Sequence, residues 1–187
     1  MQVWPKPGDT AVDLGASLLL DLDLDLDLDL DIGLDLDLDP DLDLDLDLDL
    51  DSVDIGASPG GWTHVLRGHG ALVTSIDRSE LSSSLMSDPK VSFHRGDAFK
   101  YKPPPHGVDW MVSDVIAYPE RILELVEVWC GMKLAKHMVV TMKFKNSPDW
   151  DALTQAVVRA KALGYACRAK HFFNNKHECT LMFAKLD

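Results

Sequence analysis

The sequence has few cysteines and no long apolar run, and both shortages narrow the possible classes of protein. Its 187 residues include only Cys130, Cys167 and Cys179, with no CxxC pair, so neither a disulfide framework nor a zinc site is expected. No apolar run approaches the roughly 18 residues of a membrane-spanning helix. Residues 1–7 lack the form of a signal peptide. We therefore expect a soluble, intracellular protein, most simply cytoplasmic, with no membrane or metal partner.

Basic residues are also scarce, since 18 lysines and arginines stand against 31 acidic residues, for a formal net charge of −13. The excess acid lies in one tract, residues 21–51, which holds 15 of the acidic residues and none of the basic ones. From residue 52 onward, 17 basic residues face 14 acidic ones, a net charge of +3. That part of the chain is mildly basic, which is compatible with an RNA partner.

The acidic tract is a near-perfect Asp-Leu alternation, broken only at Ile32-Gly33 and at Pro40. A period of two is typical of a strand, but a row of like charges opposes sheet pairing. A disordered, extended linker is the leading interpretation, with an edge hairpin or an amphipathic strand at low pH as the alternatives. The glycine and oxygen spacing of a calcium loop is absent, which argues against calcium binding.

The segments on either side of this tract resemble each other. Residues 11–17, AVDLGAS, nearly repeat residues 52–58, SVDIGAS, but only the second copy continues into PGGW. We infer a repeat expansion with partial duplication and expect the second copy to form the first strand. The chain then divides into an N-terminal segment at 1–20, the acidic repeat at 21–51 and a folded domain at 52–187.

Strand and helix patterns alternate through the folded domain. Such alternation predicts an α/β fold with a doubly wound sheet and with ligands at the carboxyl ends of its strands. A closing hairpin ends the domain. The predicted strands are 53–57, 71–76, 91–94, 109–115, 137–144, 165–173 and 179–184, and the predicted helices are 63–68, 119–135 and 150–163.

Residues 54–62, DIGASPGGW, combine the end of a buried strand, a glycine-rich turn and the start of a helix. The pattern is neither GxGxxG nor GxxxxGKS/T. It resembles the cofactor loop of the FtsJ-type ribosomal RNA 2′-O-ribose methyltransferases, in particular their RlmM-like branch, and the resemblance covers about residues 52–187. It implies a Rossmann-like fold, S-adenosylmethionine (SAM) as the cofactor, and RNA, ribosomal RNA in particular, as the partner methylated on a ribose 2′-hydroxyl.

Aspartates at strand ends complete the expected cofactor site. Asp77 ends the second strand, where such folds hold a ribose diol, with a cap or turn aspartate as the alternative. By the resemblance Asp97 contacts the adenine amino group, with a turn-forming aspartate as the alternative. Asp54 lies in a buried strand and needs partners, either loop amides or the methionine amino group. Trp62 is more readily a packing residue than a ligand contact. The expected cofactor-binding residues are Asp54, Gly56, Ala57, Ser58, Pro59, Gly60, Gly61, Trp62, Asp77, Asp97 and Asp114.

Three charged residues at strand ends are candidates for catalysis. Lys143 lies in an otherwise apolar strand, and a lysine can act as a base when its pKa is lowered and a carboxylate orients it. Asp114 follows the fourth strand and Glu178 opens the last one. By the resemblance, these residues match three members of the family's Lys-Asp-Lys-Glu tetrad, with Lys143 as the base and with Asp114 and Glu178 positioning it. Solvated strand-end charges are the alternative, and Lys145 is a register alternative to Lys143.

The tetrad's first lysine lies upstream of the loop in the family, and this chain offers only Lys6 there. A catalytically impaired FtsJ-like domain, which binds SAM or RNA without turnover, is therefore the alternative function. A nucleotide-dependent oxidoreductase on a similar sheet is a second alternative, which the glycine pattern disfavours.

Basic residues in two regions are candidate phosphate contacts, although an ordinary solvated face would look the same. Phe172 and Phe173 fit the core better than base stacking. The candidate phosphate contacts are Arg95, Lys100, Lys102, Arg159, Lys161, Arg168, Lys170, His171 and Lys176.

Overall fold

A computed structural model describes residues 50–145, 149–172 and 177–186. The N-terminal segment and nearly all of the acidic repeat, residues 1–49, lie outside the described residues. The strands are β1 Asp51–Ile55, β2 Leu72–Asp77, β3 Val91–Arg95, β4 Val108–Ser113, β5 Ala135–Lys143, β6 Tyr165–Lys170 and β7 Glu178–Lys185. The helices are α1 Gly61–Gly68, α2 Ser83–Met86, α3 Pro119–Gly131 and α4 Trp150–Ala162, with a 3-10 turn at Ala98–Lys100.

These strands form one sheet in the order β3-β2-β1-β4-β5-β7-β6. Neighbours from β3 to β5 run parallel, whereas β7 is antiparallel to both β5 and β6. The α/β architecture predicted from the alternation of strands and helices is confirmed, and so is the closing hairpin. The hairpin places β7 inside the sheet and leaves β6 at its border.

The parallel strands read as nearly continuous apolar runs because they are covered on both faces. Ile55, Met111, Val139 and Val140 are all fully buried. Their side chains belong to β1, β4 and β5, so the centre of the sheet is also the centre of the core. A polar residue within these strands is therefore costly unless it has a partner.

The central strands β1, β4 and β5 are parallel, so their carboxyl ends lie in one row. We call this row of strand ends the carboxyl edge. Ile55 pairs in register with Ser113, and Ser113 pairs with Val140. The Ser113 hydroxyl also donates to the carbonyl of Ile55 at 3.0 Å. The segments that follow β1 and β4 therefore begin side by side.

Several predicted bounds are wrong by a few residues. β1 begins at Asp51, the last residue of the acidic repeat, and it ends before Gly56, which takes φ 79°. The helix predicted at 119–135 ends at Gly131, since Lys133 takes φ 57° and reverses the chain into β5. The short helix α2 and the 3-10 turn at Ala98–Lys100 were not predicted. No helix within the described ranges is long and apolar enough to cross a membrane.

Candidate active site

The glycine-rich loop leaves β1 and turns sharply into α1. Gly56 has φ 79°, and a side chain there would place Cβ 2.7 Å from Cβ and 2.9 Å from Cα of Val115. Gly60 has φ 116°, and a β-carbon there would clash with the side chain of Leu85. A β-carbon on Gly61 would meet nothing within 4 Å. Gly56 and Gly60 are therefore required by the turn itself, whereas Gly61 leaves open space at the start of α1.

The other loop residues are fixed largely through their backbones. The amide of Ala57 donates to the carbonyl of Ile76 at 3.2 Å, and the Ala57 side chain is buried. The Ser58 hydroxyl donates to the carbonyl of Glu80 at 3.0 Å. The Ser58-Pro59 peptide bond is cis, and Pro59 is exposed. Trp62 is half-buried in the first turn of α1.

Asp54 is buried beneath the loop, where it heads a small polar network. Its Oδ2 accepts a 2.6 Å hydrogen bond from the Thr63 hydroxyl, which lies 2.8 Å from the hydroxyl of Ser75. Its Oδ1 is buried with no hydrogen-bond partner in the described structure. Burial raises the pKa of Asp54 to about 7, with smaller contributions from the charges of Asp114 and Asp77 and with the Thr63 bond acting in the opposite direction. A buried carboxylate oxygen thus remains available beside the loop.

Sequence reasoning did not identify Thr63 or Ser75, although both are fully buried. A threonine in the first turn of the helix, nine residues after the strand aspartate, was the available signal. It is a weak one, because threonine is also common near helix starts for capping.

Asp77 lies at the end of β2 and closes the loop from the other side. Its Oδ2 accepts from the Ser58 amide at 3.1 Å, and its Oδ1 accepts from the Ser79 amide at 2.8 Å. Asp97 caps the 3-10 turn, accepting from the Phe99 amide at 3.1 Å, and lies 3.8 Å from Arg78. Both aspartates thus serve as the turn residues that the alternative interpretation describes. Carboxylate oxygens have spare lone pairs, so these bonds still allow ligand contacts.

Lys143, Asp114 and Glu178 come together at the carboxyl edge. Lys143 Nζ lies 3.0 Å from Asp114 Oδ1 and donates to the Asp114 carbonyl at 3.0 Å. Lys143 and Glu178 are register partners across β5 and β7, and the Phe144 amide donates to the carbonyl of His177 at 2.6 Å just beyond them. The Lys143 side chain is 25% exposed and that of Asp114 is 48% exposed. The ammonium group is thus fixed by Asp114 while it stays accessible from solvent.

A cavity of about 370 Å³ opens beside this lysine. Its lining combines two lysines with apolar and aromatic side chains from the end of β5 and from the segments after β4 and β5. A larger cavity, of about 540 Å³, lies at the other end of β1 and β2, away from these groups. The lining residues of the smaller cavity are Ile116, Ala117, Tyr118, Lys143, Phe144 and Lys145.

The predicted basic cluster is divided between two ends of the sheet. Arg159 and Lys161 lie in the last turns of α4, which runs away from the carboxyl edge, and Arg159 pairs with Glu127 at 3.0 Å. Lys170 ends β6 at the carboxyl edge, and the exposed His171 follows it. Arg168 is exposed in the middle of β6. Only part of the cluster therefore lies near Lys143.

On the other side of the loop, Arg95 ends β3 and pairs with Glu80 at 2.5 Å. Lys100 and Lys102 are exposed around the 3-10 turn. Phe172 is buried, as predicted, whereas Phe173 and Lys176 lie outside the described residues. In the ranges that the structure covers, no group of three or more His, Cys, Asp or Glu side chains could hold a metal ion.

Solved structures with this fold include several methyltransferases. The 1,6-didemethyltoxoflavin-N1-methyltransferase of Burkholderia thailandensis, bound to S-adenosylhomocysteine, superposes with a TM-score of 0.56 at 13% identity, covering 74% of this chain and 72% of that one. Fibrillarin of Aeropyrum pernix, bound to SAM, superposes with a TM-score of 0.51 at 15% identity, covering 73% and 66%. At such identities the likeness shows the fold alone.

Sequence comparison is more specific. The chain is 34% identical over 141 residues to the ribosomal RNA large subunit methyltransferase M of Pseudomonas putida, covering 72% of this chain and 40% of the relative. It is 36% identical over 138 residues to the protein of that name from Xylella fastidiosa, covering 70% and 38%. The chain thus spans about two fifths of the length of these curated relatives. The sequence model of the FtsJ-like methyltransferases matches residues 43–178. The chain therefore belongs to the FtsJ-like methyltransferase family.

Proposed function

We propose that this chain transfers the methyl group of SAM to a ribose 2′-hydroxyl of RNA, with ribosomal RNA as the substrate. The observation that carries the proposal is the placement of Lys143, Asp114 and Glu178 at one edge of the sheet, next to the glycine-rich loop. Family membership and the printed name of the relatives support the same reaction class.

The loop residues fit SAM. The unpartnered Oδ1 of Asp54 suits an ammonium group, because a buried carboxylate oxygen gains most from a charged donor. The open space at Gly61 leaves room for a ligand against the start of α1. The carboxylate of Asp77 has spare lone pairs for a ribose diol. We therefore assign SAM binding to these residues and to the loop between them.

The described groups divide the chemical work at the carboxyl edge. When bound, SAM supplies an electrophilic sulfonium methyl group, which is displaced onto the 2′-oxygen while the C–S electron pair stays on sulfur. Lys143, in its neutral form, accepts the proton of the 2′-hydroxyl at Nζ. Asp114 holds that nitrogen through its carboxylate and its carbonyl, and Glu178 adds a second acidic group from β7. Because the amine of Lys143 contacts Asp114 at two oxygen atoms, its lone pair is held in one direction and can accept the proton.

Methyl transfer from radiolabelled SAM to ribosomal RNA tests the assignment. Lys143→Ala should abolish transfer, whereas Lys136→Ala, which removes an exposed lysine at the opposite end of β5, should retain it. Calorimetry should show unchanged SAM binding for both variants, since neither lysine belongs to the loop. Transfer that persists in Lys143→Ala would refute the base assignment.

The same assay separates the proposal from its alternative. Lys6, the chain's only upstream lysine, lies outside the described residues. A parent chain that binds SAM but transfers no methyl group to any RNA offered would favour the catalytically impaired domain. Ribose specificity is checked by comparing RNA with the matching 2′-deoxy or 2′-O-methyl oligonucleotide, neither of which should accept the label.

A further inference from the structure

Two exposed aromatic side chains stand at the starts of the helices that precede and follow β5, the strand that ends at Lys143. Tyr118 is the N-cap of α3, which follows β4, and it is 66% exposed. Trp150 is the first residue of α4, which follows β5, and it is 69% exposed. Helices α3 and α4 pack against each other, and Arg159 of α4 pairs with Glu127 of α3 at 3.0 Å. Each of these residues lies nine positions after the aromatic residue of its own helix, so both helices start at about the same level beside the carboxyl edge. The two rings are thus presented from adjacent helices at the edge of the sheet where Lys143 lies.

Among the phenylalanine, tryptophan and tyrosine residues that the structure describes, only Tyr118 and Trp150 are exposed. Trp110, Trp129 and Phe172 are all buried. Exposed aromatic rings give up the apolar burial that aromatic residues usually contribute to stability. Tyr118 and Trp150 therefore contribute little to the core, and a partner that covers them recovers the lost burial.

The surroundings of Tyr118 indicate the chemistry of that partner. Its ring lines the cavity of about 370 Å³ that also contains Lys143 and Lys145, and Ile116 in the same wall is 88% exposed. That volume lies within the roughly 300–1,000 Å³ of small-ligand pockets. A partner that combines flat apolar faces with negative charge is a nucleic acid strand whose bases are unstacked. In a duplex the bases are stacked on one another, so their faces could not reach these rings.

We propose that Tyr118 and Trp150 stack on two bases of an unpaired RNA strand that passes over Lys143. This inference rests on the proposed function and deepens it, because it names the substrate as single-stranded RNA or as a loop with splayed bases. Tyr118 holds one base in the cavity beside the lysine, Trp150 holds a second base at the start of α4, and Lys145 lies near the connecting phosphates. Stacking has no requirement for a particular base, so sequence preference comes from elsewhere.

Fluorescence anisotropy with the full chain tests the stacking directly. The probes are a labelled unstructured RNA oligonucleotide, the same oligonucleotide annealed to its complement, and a version whose central nucleotides lack bases. Tyr118→Leu and Trp150→Leu should each weaken binding of the unstructured RNA by roughly 5- to 150-fold, the range for loss of one stacked base. Tyr118→Phe and Trp150→Phe, which keep a ring, should bind like the parent chain.

Val158→Ala serves as the matched control, since it removes a 59% exposed apolar side chain from α4 outside the proposed path. It should leave binding unchanged. The abasic probe should bind the parent weakly, and the leucine variants should weaken that binding no further. Parent binding to the unstructured RNA should exceed binding to the duplex.

The outcomes distinguish this inference from the proposed function. Leucine variants that bind unstructured RNA as the parent does would overturn the stacking even if methyl transfer is intact. Equal losses on the abasic and the intact RNA would also overturn it, because bases would then play no part. Absence of RNA binding by the parent would overturn it and leave the rings for a protein partner. Ring-dependent binding without methyl transfer would support stacking while counting against the proposed reaction.

Discussion

Replacing Asp54 with asparagine should make the stability of this protein less dependent on pH. Asp54 is fully buried, and burial raises its pKa from 3.8 to about 7. The folded protein therefore keeps the proton in a range where the unfolded chain has already lost it. A group whose pKa is raised on folding favours the folded state at low pH, and the benefit is lost as the pH rises through the folded-state pKa. Between about pH 4 and pH 7, stability should accordingly fall.

The size of the effect follows from the two pKa values. Each pKa unit corresponds to about 1.4 kcal/mol, so the full shift corresponds to about 4 kcal/mol between the protonated and the ionised protein. Between pH 5 and pH 8 the contribution of Asp54 to the free energy of unfolding falls by about 2–3 kcal/mol. An asparagine side chain has no acidic proton to lose, so that part of the pH dependence should vanish in the variant. The pH dependence of stability that arises from all other titratable groups remains in both proteins.

Urea unfolding of the parent and of Asp54→Asn at pH 5 and pH 8 measures the difference. The absolute stability of the variant matters less than its change with pH, because asparagine also brings two N–H donors into a buried site. Asp151→Asn, at an exposed position in α4, is the matched control and should retain the parental pH dependence. If the free energy of unfolding changed equally between pH 5 and pH 8 in Asp54→Asn and in the parent, a strongly raised pKa at this position would be refuted. Under the proposed function, the variant should also bind SAM more weakly, since it lacks the charge for the ammonium group.

Three further changes test the loop and the core. Gly56→Ala should lower the free energy of unfolding in urea by about 2–4 kcal/mol, because the residue has φ 79° and its Cβ would lie 2.7 Å from Val115. An unaltered urea midpoint would contradict this close approach. Gly61→Ala should preserve stability, since nothing lies within 4 Å of the added carbon, while weakening SAM binding measured by calorimetry. Tyr165→Phe should cost about 1–2 kcal/mol, because it removes the buried 2.6 Å hydrogen bond to the carbonyl of Ala135, and a smaller loss would mean that water replaces the hydroxyl.

The loop and the strand ends were predictable because their signals are local. Glycines in sequence forced a turn between an apolar strand and a helix, and Lys143 stood out as a charge in an apolar strand. These features depend on a few neighbouring residues, so the chain itself carries the information. The predicted positions of Asp77 and Asp114 at strand ends followed for the same reason.

Features that depend on distant partners were not predictable in this way. The hydrogen bond from Thr63 to Asp54 depends on how α1 packs over β1, and the insertion of β7 between β5 and β6 depends on pairing between strands far apart in the chain. The end of α3 was overestimated because the apolar pattern continues past Gly131 into the turn. The division of the basic cluster likewise follows from the direction of α4, which composition alone does not reveal.

Because β7 lies between β5 and β6, the sheet cannot be completed until the residues of β7 have been synthesised. A chain grows from its N-terminus, so β1, the glycine-rich loop and β5 emerge before residues 178–185 exist. Until those residues insert, β5 presents an open edge, and Lys143 lacks the neighbour that Glu178 provides. A nascent chain therefore passes through a stage in which the loop is built but the proposed base is unfinished. At that stage β5 is an unpaired edge strand and is therefore exposed to aggregation until β7 docks beside it.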